Sequence, residues 1–367
     1  MALFDDDPSP RPQGRSRRER IGWAALGIAV VIGVGFALLP SPYVIEQPGP
    51  VYDTLGVAEH EGEEVPLIEI PDEETFPTDG ELNLLTVTVL GRPGQTPSWL
   101  DVLGTWFDPT RSAVPVEAIF PPGVSDADRD AQNSAAMVDS QQDAIAAALV
   151  ELGYDFPRDV TVAGVLDDSP AAGVLEEGDV IAAVNGTAVH SVDELRAAVR
   201  ENGPDEPANL RVVRDGVEQT IAVTPVERDD TVALGVGVRM VYDFPIEVEL
   251  QLDNVGGPSA GMMFALGIID KLTPGPMTGG EIVAGTGTID SAGEVGPIGG
   301  VRQKLWGAED AGADWFLAPA ANCDEVTGHV PDGLSVFAVS TLDEARAIVE
   351  AIGEGTDTSG FASCPAG

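Results

Sequence analysis

The stretch from Asn254 to Lys304 begins and ends on a glycine-rich turn that runs into a helix, and no other feature constrains the chain as much. The first turn, Asn254-Val255-Gly256-Gly257-Pro258-Ser259-Ala260-Gly261, leads into an apolar helix bearing Met262, Met263, Leu266 and Ile269. Ser259 is expected in the first turn of that helix. Unpaired backbone N–H groups and the positive end of the helix dipole favour an oxyanion there, with Gly257, Pro258 and Ala260 shaping the turn around it. The second turn, Gly299-Gly300, opens a helix with Val301, Leu305 and Ala308 on its apolar side. Lys304 lies among them, and a lysine beside apolar neighbours is a candidate base.

Composition sharpens that point, because Lys271 and Lys304 are the only lysines in the sequence. Every other basic side chain is arginine, which holds its proton in proteins and cannot act as a general base. Lys271 falls near the end of the Ser259 helix, where a cation favours the dipole. Lys304 has no such explanation. Activating a serine near neutral pH requires its amine to drop from about 10.4 to roughly 7–8, which burial can supply.

Gly256-Gly257-Pro258-Ser259-Ala260-Gly261, then Ala284-Gly285-Thr286-Gly287-Thr288-Ile289, then Gly293-Glu294-Val295-Gly296-Pro297-Ile298-Gly299-Gly300 and Lys304 resemble the Lon family of serine peptidases in order and spacing. The resemblance implies a catalytic Ser259–Lys304 dyad, with Thr286 where the family keeps a threonine that positions the lysine. One residue departs from the pattern. Many Lon proteases carry an aspartate three residues before the serine, where this chain has Gly256; Asp253 and Asn254 are the near substitutes. Rival readings of the same residues are a packing turn, a G-x-S-x-G nucleophile elbow using Asp314 or Asp324 with His329, and a Cys323–His329 thiol dyad.

The net charge of −42 argues against nucleic acid or an anionic membrane surface as partner of the main body. The first twenty residues form a polar tail with Arg15, Arg17, Arg18 and Arg20, followed by the uncharged apolar run Ile21 to Leu39. As a helix that run is about 28 Å long, enough to cross a bilayer core. The preceding arginines set a cytoplasmic N-terminus and an extracytoplasmic remainder. Leu38-Leu39-Pro40-Ser41-Pro42 has no small-residue cleavage site, so residues 21–40 are expected as a single-pass anchor and 1–20 as a cytoplasmic tail. Cys323 and Cys364 then lie where disulfides persist. A bridge between them would close a loop of about 40 residues, worth about 4 kcal/mol. With so few ligands, no metal is expected.

Val51 to Val57 and Glu81 to Leu90 read as strands and Asn133 to Leu152 as a helix. They resemble the opening half of a Lon protease domain, so residues 41–154 and 229–353 are expected to form one discontinuous domain, with 354–367 a C-terminal tail. Between them, strand-forming Val160 to Val165, the turn Ser169-Pro170-Ala171-Ala172-Gly173, Gly178 to Gly186, a helix capped by Ser191 and Glu194, and a hairpin at Asp215-Gly216 resemble a bacterial PDZ domain over 155–228. A PDZ domain adds an extended peptide as a strand, with a backbone loop holding its terminal carboxylate; Leu152-Gly153-Tyr154 is the expected loop. Strands separated by helices after Arg228 complete an α/β (α+β) Lon-type protease domain with an inserted β-rich PDZ domain, preceded by one transmembrane helix.

The expected function is a membrane-anchored serine endopeptidase acting on extracytoplasmic peptides or proteins, with the PDZ domain recruiting or gating substrate. The alternative is an inactive, tethered PDZ scaffold. No cofactor is expected, and ATP is not: Lys271 follows Asp270 and Lys304 follows Gln303, so neither completes a phosphate-binding Gly-Lys-Ser/Thr motif. Lon proteases form rings, which makes a homo-oligomer an expectation of the resemblance alone.

Overall fold

The computed structural model describes residues 17–60, 62–228, 231–253 and 255–365. The tail ahead of residue 17, including Arg15, and the turn residue Asn254 lie outside them. Contacts divide the chain into one unit of residues 1–46 and 89–122 and another of 47–88 and 123–367.

In the first unit, helix α1 (Arg17–Leu38) leaves Ile21, Trp23, Ile28 and Val31 exposed. The expected anchor over 21–40 falls on this helix. Among the described residues, which leave out the side chains of Glu19, Arg20 and Leu38, no helix is long and apolar enough to cross a membrane. Strand β1 (Tyr43–Asp53) begins in this unit and continues in the second, to which nearly all of β2 (Glu81–Leu90) belongs; β3 (Ser112–Pro115) pairs antiparallel with the start of β1, Tyr43 opposite Pro115 and Glu46 opposite Ser112.

In the second unit, helix α2 (Asp126–Glu151) begins at Asp126 rather than at Asn133 because Ser125 caps it by accepting from the Asp128 N–H. Met137, Ser140, Ala144, Ile145 and Ala148 recur at helical spacing and are buried. Next come β4 (Arg158–Val165), β5 (Val180–Val184), helix α3 (Val192–Asn202) capped by Ser191, and the hairpin of β6 (Ala208–Arg214) and β7 (Val217–Val223). Asp215 and Gly216 turn that hairpin with φ of 51° and 76°, the left-handed pair that suits the strand twist.

The boundary expected at 228 is too early. Strand β8 (Val236–Tyr242), read from sequence as part of the protease domain, pairs antiparallel with β4, Val236 opposite Val165 and Tyr242 opposite Arg158. The sheet order is β7-β6-β5-β4-β8, and Leu234, Val236, Val238 and Met240 pack on the same core as Leu195, Val199 and Leu210. Alternation along a strand reports a buried face but not which sheet supplies it. At the end of β8 the chain leaves this sheet: Phe156, Tyr242 and Phe244 pack ring to ring at 5.2–6.3 Å. The Tyr242 hydroxyl donates to the Asp143 carboxylate on α2, and burial pushes that carboxyl up to about 6.

The remaining elements are helix α4 (Gly261–Leu272), β9 (Ile282–Gly285), helix α5 (Val301–Asp310), β10 (Trp315–Pro319), β11 (Ser335–Val339) and helix α6 (Leu342–Gly353). Within this unit the second sheet runs β11-β10-β9-β2-β1, with β2, β9, β10 and β11 parallel. Helix α4 is apolar on nearly every side, and residues Gly261 to Asp270 are all buried, packed against α2 and α6. Such a helix is stable only when covered throughout. Cys323 and Cys364 form a disulfide with a Cα–Cα distance of 5.0 Å. It holds the C-terminal segment beside β11, where Cys364 N–H donates to the Val336 carbonyl at 3.2 Å.

Candidate active site

Parallel strands converge on a site at their carboxyl ends. Thr286 stands at the end of β9, and the backbone there pins the serine turn: Gly287 N–H donates to Ser259 C=O at 3.0 Å, and Met262 N–H donates to Gly287 C=O at 3.2 Å. Ser259 lies one residue ahead of the helix cap, Ala260, rather than inside the first turn. Gly261 must lack a Cβ, which would lie 2.8 Å from Ile289 Cγ2 and 2.9 Å from Ser140 Oγ.

Helix α5 brings Lys304 to the same point. Its cap, Gly300, has φ of 68°, a left-handed conformation that favours glycine. Val301, Leu305 and Ala308 face the core and carry Lys304 inward with them, leaving it 2% exposed. Lys304 Nζ is 2.8 Å from Ser259 Oγ and 2.8 Å from Thr286 Oγ1. Burial alone pushes its amine down to about 7. The Thr286 hydroxyl spends its proton on the Ser259 carbonyl at 2.9 Å. Its oxygen is therefore left to accept a Lys304 N–H, and the lone pair of a neutral amine is directed at Ser259 Oγ.

Ser259 and Lys304 line a cavity of about 530 Å³ with Pro258, Ala260, Tyr52, Leu84, Met137 and Val255. Gly257 does not line it and instead donates its N–H to the Asn133 carbonyl at 3.0 Å. The departure at Gly256 has a steric reason: a Cβ there would sit 3.0 Å from Asn133 Cβ. The Asp253 carboxylate meets His60 Nδ1 at 2.9 Å. Lys271 lies at the C-terminal end of α4, where burial lowers its pKa while Asp53 and Asp270 oppose the shift. The rival chemistries dissolve: Cys323 is disulfide-bonded, His329 Nδ1 lies 3.1 Å from the Thr327 carbonyl, and a loop rather than a strand enters Ser259. Among the described residues there is no cluster of three metal-ligating side chains.

The Leu152-Gly153-Tyr154 expectation is corrected. These residues end α2, where Gly153, at φ of 84°, and Tyr154 return their N–H groups to Val150 and Leu149. A groove of about 470 Å³ lies elsewhere, between α3 and the edge strand β8, lined by Leu166, Leu195, Val199, Leu234, Gly235 and Val238 among others. The alternating run Leu234-Gly235-Val236-Gly237-Val238 was the available signal. Sequence reasoning also missed Asn133 and Ser140, whose only hint was their place on an amphipathic helix.

Comparison with known proteins finds two matching regions. Residues 253–351 match the C-terminal proteolytic domain of Lon protease (S16), and residues 130–224 match the PDZ domain family. The chain thus contains one region similar to a Lon-type proteolytic domain and one similar to a PDZ domain. It is 41% identical over 136 residues to Lon protease 2 of Herpetosiphon aurantiacus, covering 36% of this chain and 16% of that protein. Against the Lon protease of Haemophilus influenzae it is 31% identical over 136 residues, covering 36% and 17%. The chain thus spans only about a sixth of the length of these relatives. Among solved structures, the PDZ domain of an SdrC-like protein from Listeria innocua aligns at 21% identity with a TM-score of 0.21, over 22% of this chain and 92% of that one.

Proposed function

We propose that the chain is a serine endopeptidase working through Ser259 and Lys304 without ATP. The observation that carries this reading is the 2.8 Å approach of Nζ to Oγ by an amine that burial holds near neutrality. Lys304 takes the Oγ proton as Oγ bonds to a substrate carbonyl carbon, and the carbonyl electrons collect on its oxygen. Backbone N–H groups at Ser259 and Ala260 stabilise that oxyanion. Collapse breaks the C–N bond, and the Lys304 ammonium protonates the leaving amine. Water then repeats the cycle on the acyl-enzyme.

Ser259→Ala and Lys304→Arg should each abolish cleavage of an apolar fluorogenic peptide. The wild-type rate should rise with pH through about 7, because the base must be neutral. A wild type inert toward every peptide and pH, with peptide binding intact, would leave only the scaffold reading.

The groove beside β8 supports a peptide-recruiting role for the PDZ domain. Strand β8 is at the sheet edge, so an extended peptide can pair with it and rest apolar side chains against α3. Leu166→Glu, an exposed position in that groove, should raise KM for an unfolded protein substrate by about fivefold and for a short peptide much less. Equal changes for both would sink the recruiting role.

The arginines ahead of the apolar run from Ile21, whose side chains are exposed on α1, together with a disulfide, support membrane anchoring with the protease domain outside the cytoplasm. Release of the chain from isolated membranes by alkaline washing would count against it.

A further inference from the structure

Helix α2 touches the turn that carries Ser259 at two points. The Asn133 carbonyl accepts the Gly257 N–H at 3.0 Å, and the Ser140 hydroxyl donates to the Pro258 carbonyl at 2.9 Å. Ser140 is 3% exposed, and Gly261, with no side chain, allows its Oγ to come this close. A buried hydroxyl spent on one carbonyl fixes the plane of that peptide unit.

That plane is the one linking Pro258 to the nucleophile. In a trans peptide the carbonyl and the following N–H point in opposite directions. Holding the Pro258 carbonyl on Ser140 therefore turns the Ser259 N–H away from Ser140. Among the described residues that N–H has no hydrogen-bond partner, and Pro258, Ser259 and Ala260 all line the cavity. A free, oriented N–H beside the attacking oxygen is what a developing oxyanion needs. Lys304 and Thr286 contact the Ser259 hydroxyl and carbonyl, so neither fixes this N–H.

We propose that Ser140 is a positioning residue that aims the Ser259 N–H at the oxyanion of the tetrahedral intermediate. The inference rests on the serine peptidase reading and deepens it. Helix α2 belongs to the catalytic apparatus even though it lies far from Ser259 in sequence and contributes no reacting group.

The test is steady-state kinetics of the full chain carrying Ser140→Ala or Ser140→Cys, with a fluorogenic apolar peptide as substrate. A peptide aldehyde serves as inhibitor because its adduct with Ser259 carries the oxyanion. Ser140→Ala should lower kcat by about tenfold with KM changed by less than about twofold, and should weaken aldehyde inhibition by a similar factor. The half-maximal pH should stay at about 7, because Lys304 is untouched. Ser140→Cys, a weaker donor of similar shape, should fall between the two, and it reports alone if the alanine variant does not fold. The proposal fails if kcat is unchanged in folded protein, or if the loss comes with a displaced pH limb and unaltered aldehyde affinity. Cleavage in the wild type that survives Ser259→Ala, or no cleavage at all, would overturn it together with the peptidase reading.

Discussion

Replacing Lys304 with methionine should abolish peptide cleavage and make the protein harder to unfold. Loss of the base is expected to cost about 10⁴-fold or more in kcat, as for other nucleophile–base pairs that act as a unit. The stability gain comes from the same burial. In the folded chain the amine is 2% exposed and titrates at about 7, whereas in an unfolded chain it titrates near 10.4. Below pH 7 folding must bury an ammonium, and the wild type bears the full penalty. Between about 7 and 10 the unfolded chain binds the extra proton, so wild-type stability rises with pH and the penalty fades.

Methionine carries no charge and fills a similar volume, but it leaves Thr286 and Ser259 without their nitrogen partner, which costs about 1–2 kcal/mol. The net gain for Lys304→Met is expected at roughly 2–3 kcal/mol at pH 6, turning into a net loss of about 1–2 kcal/mol near pH 10, where only the lost hydrogen bonds remain. Denaturant midpoints of both proteins at the two pH values check it. A wild-type midpoint that is flat over this range would mean that the amine is not held neutral by burial, and the base assignment would fall with it.

Removing the Cys323–Cys364 bridge should weaken the fold and reach the active site. Its half-cystines are 41 residues apart in sequence. Opening such a loop costs about 4 kcal/mol in the chain-entropy model, or roughly 10 °C in melting temperature for a unit of this size. The effect is not confined to the tail. Cys364 shares a core with Val301, Leu305 and Ala308, the inward face of the Lys304 helix. Beside Cys323, the Asn322 side chain is 2% exposed and clamps Ile298 from both sides, accepting its N–H and donating to its carbonyl, each at 2.9 Å.

Ile298 leads directly into the Gly299-Gly300 turn that starts α5. Reduction, or Cys364→Ser, is therefore expected to lower kcat at temperatures below the global melt, because the locally opened region includes the start of the helix that holds the base. Melting curves and peptide cleavage with and without dithiothreitol measure both parts. Identical melts for oxidised, reduced and Cys364→Ser protein would refute the structural role. A lower melt with unchanged low-temperature kcat would refute the link to Lys304.

Much of this site could be read along the chain because its chemistry is written in rare residues. Two lysines among many arginines, one of them flanked by Val301 and Leu305, mark a base that burial can neutralise. The glycines around Ser259 and ahead of α5 mark backbone turns that a side chain would obstruct. Helical spacing also located α2, α3 and α6, since each covers one apolar face.

Partnership between distant segments was not legible in the same way. The alternation in β8 reports one buried face but does not specify β4 as its neighbour, and Leu152-Gly153-Tyr154 has the composition of a binding loop while serving as a helix end. Ser140 and Asn322 look like ordinary polar residues until packing places them against Pro258 and Ile298. Local sequence determined which residues can turn, bury or give up a proton, because these properties belong to single side chains and their near neighbours. Only the tertiary structure decided which carbonyl a buried hydroxyl holds and which sheet a strand joins, because those depend on which surfaces meet when the core closes.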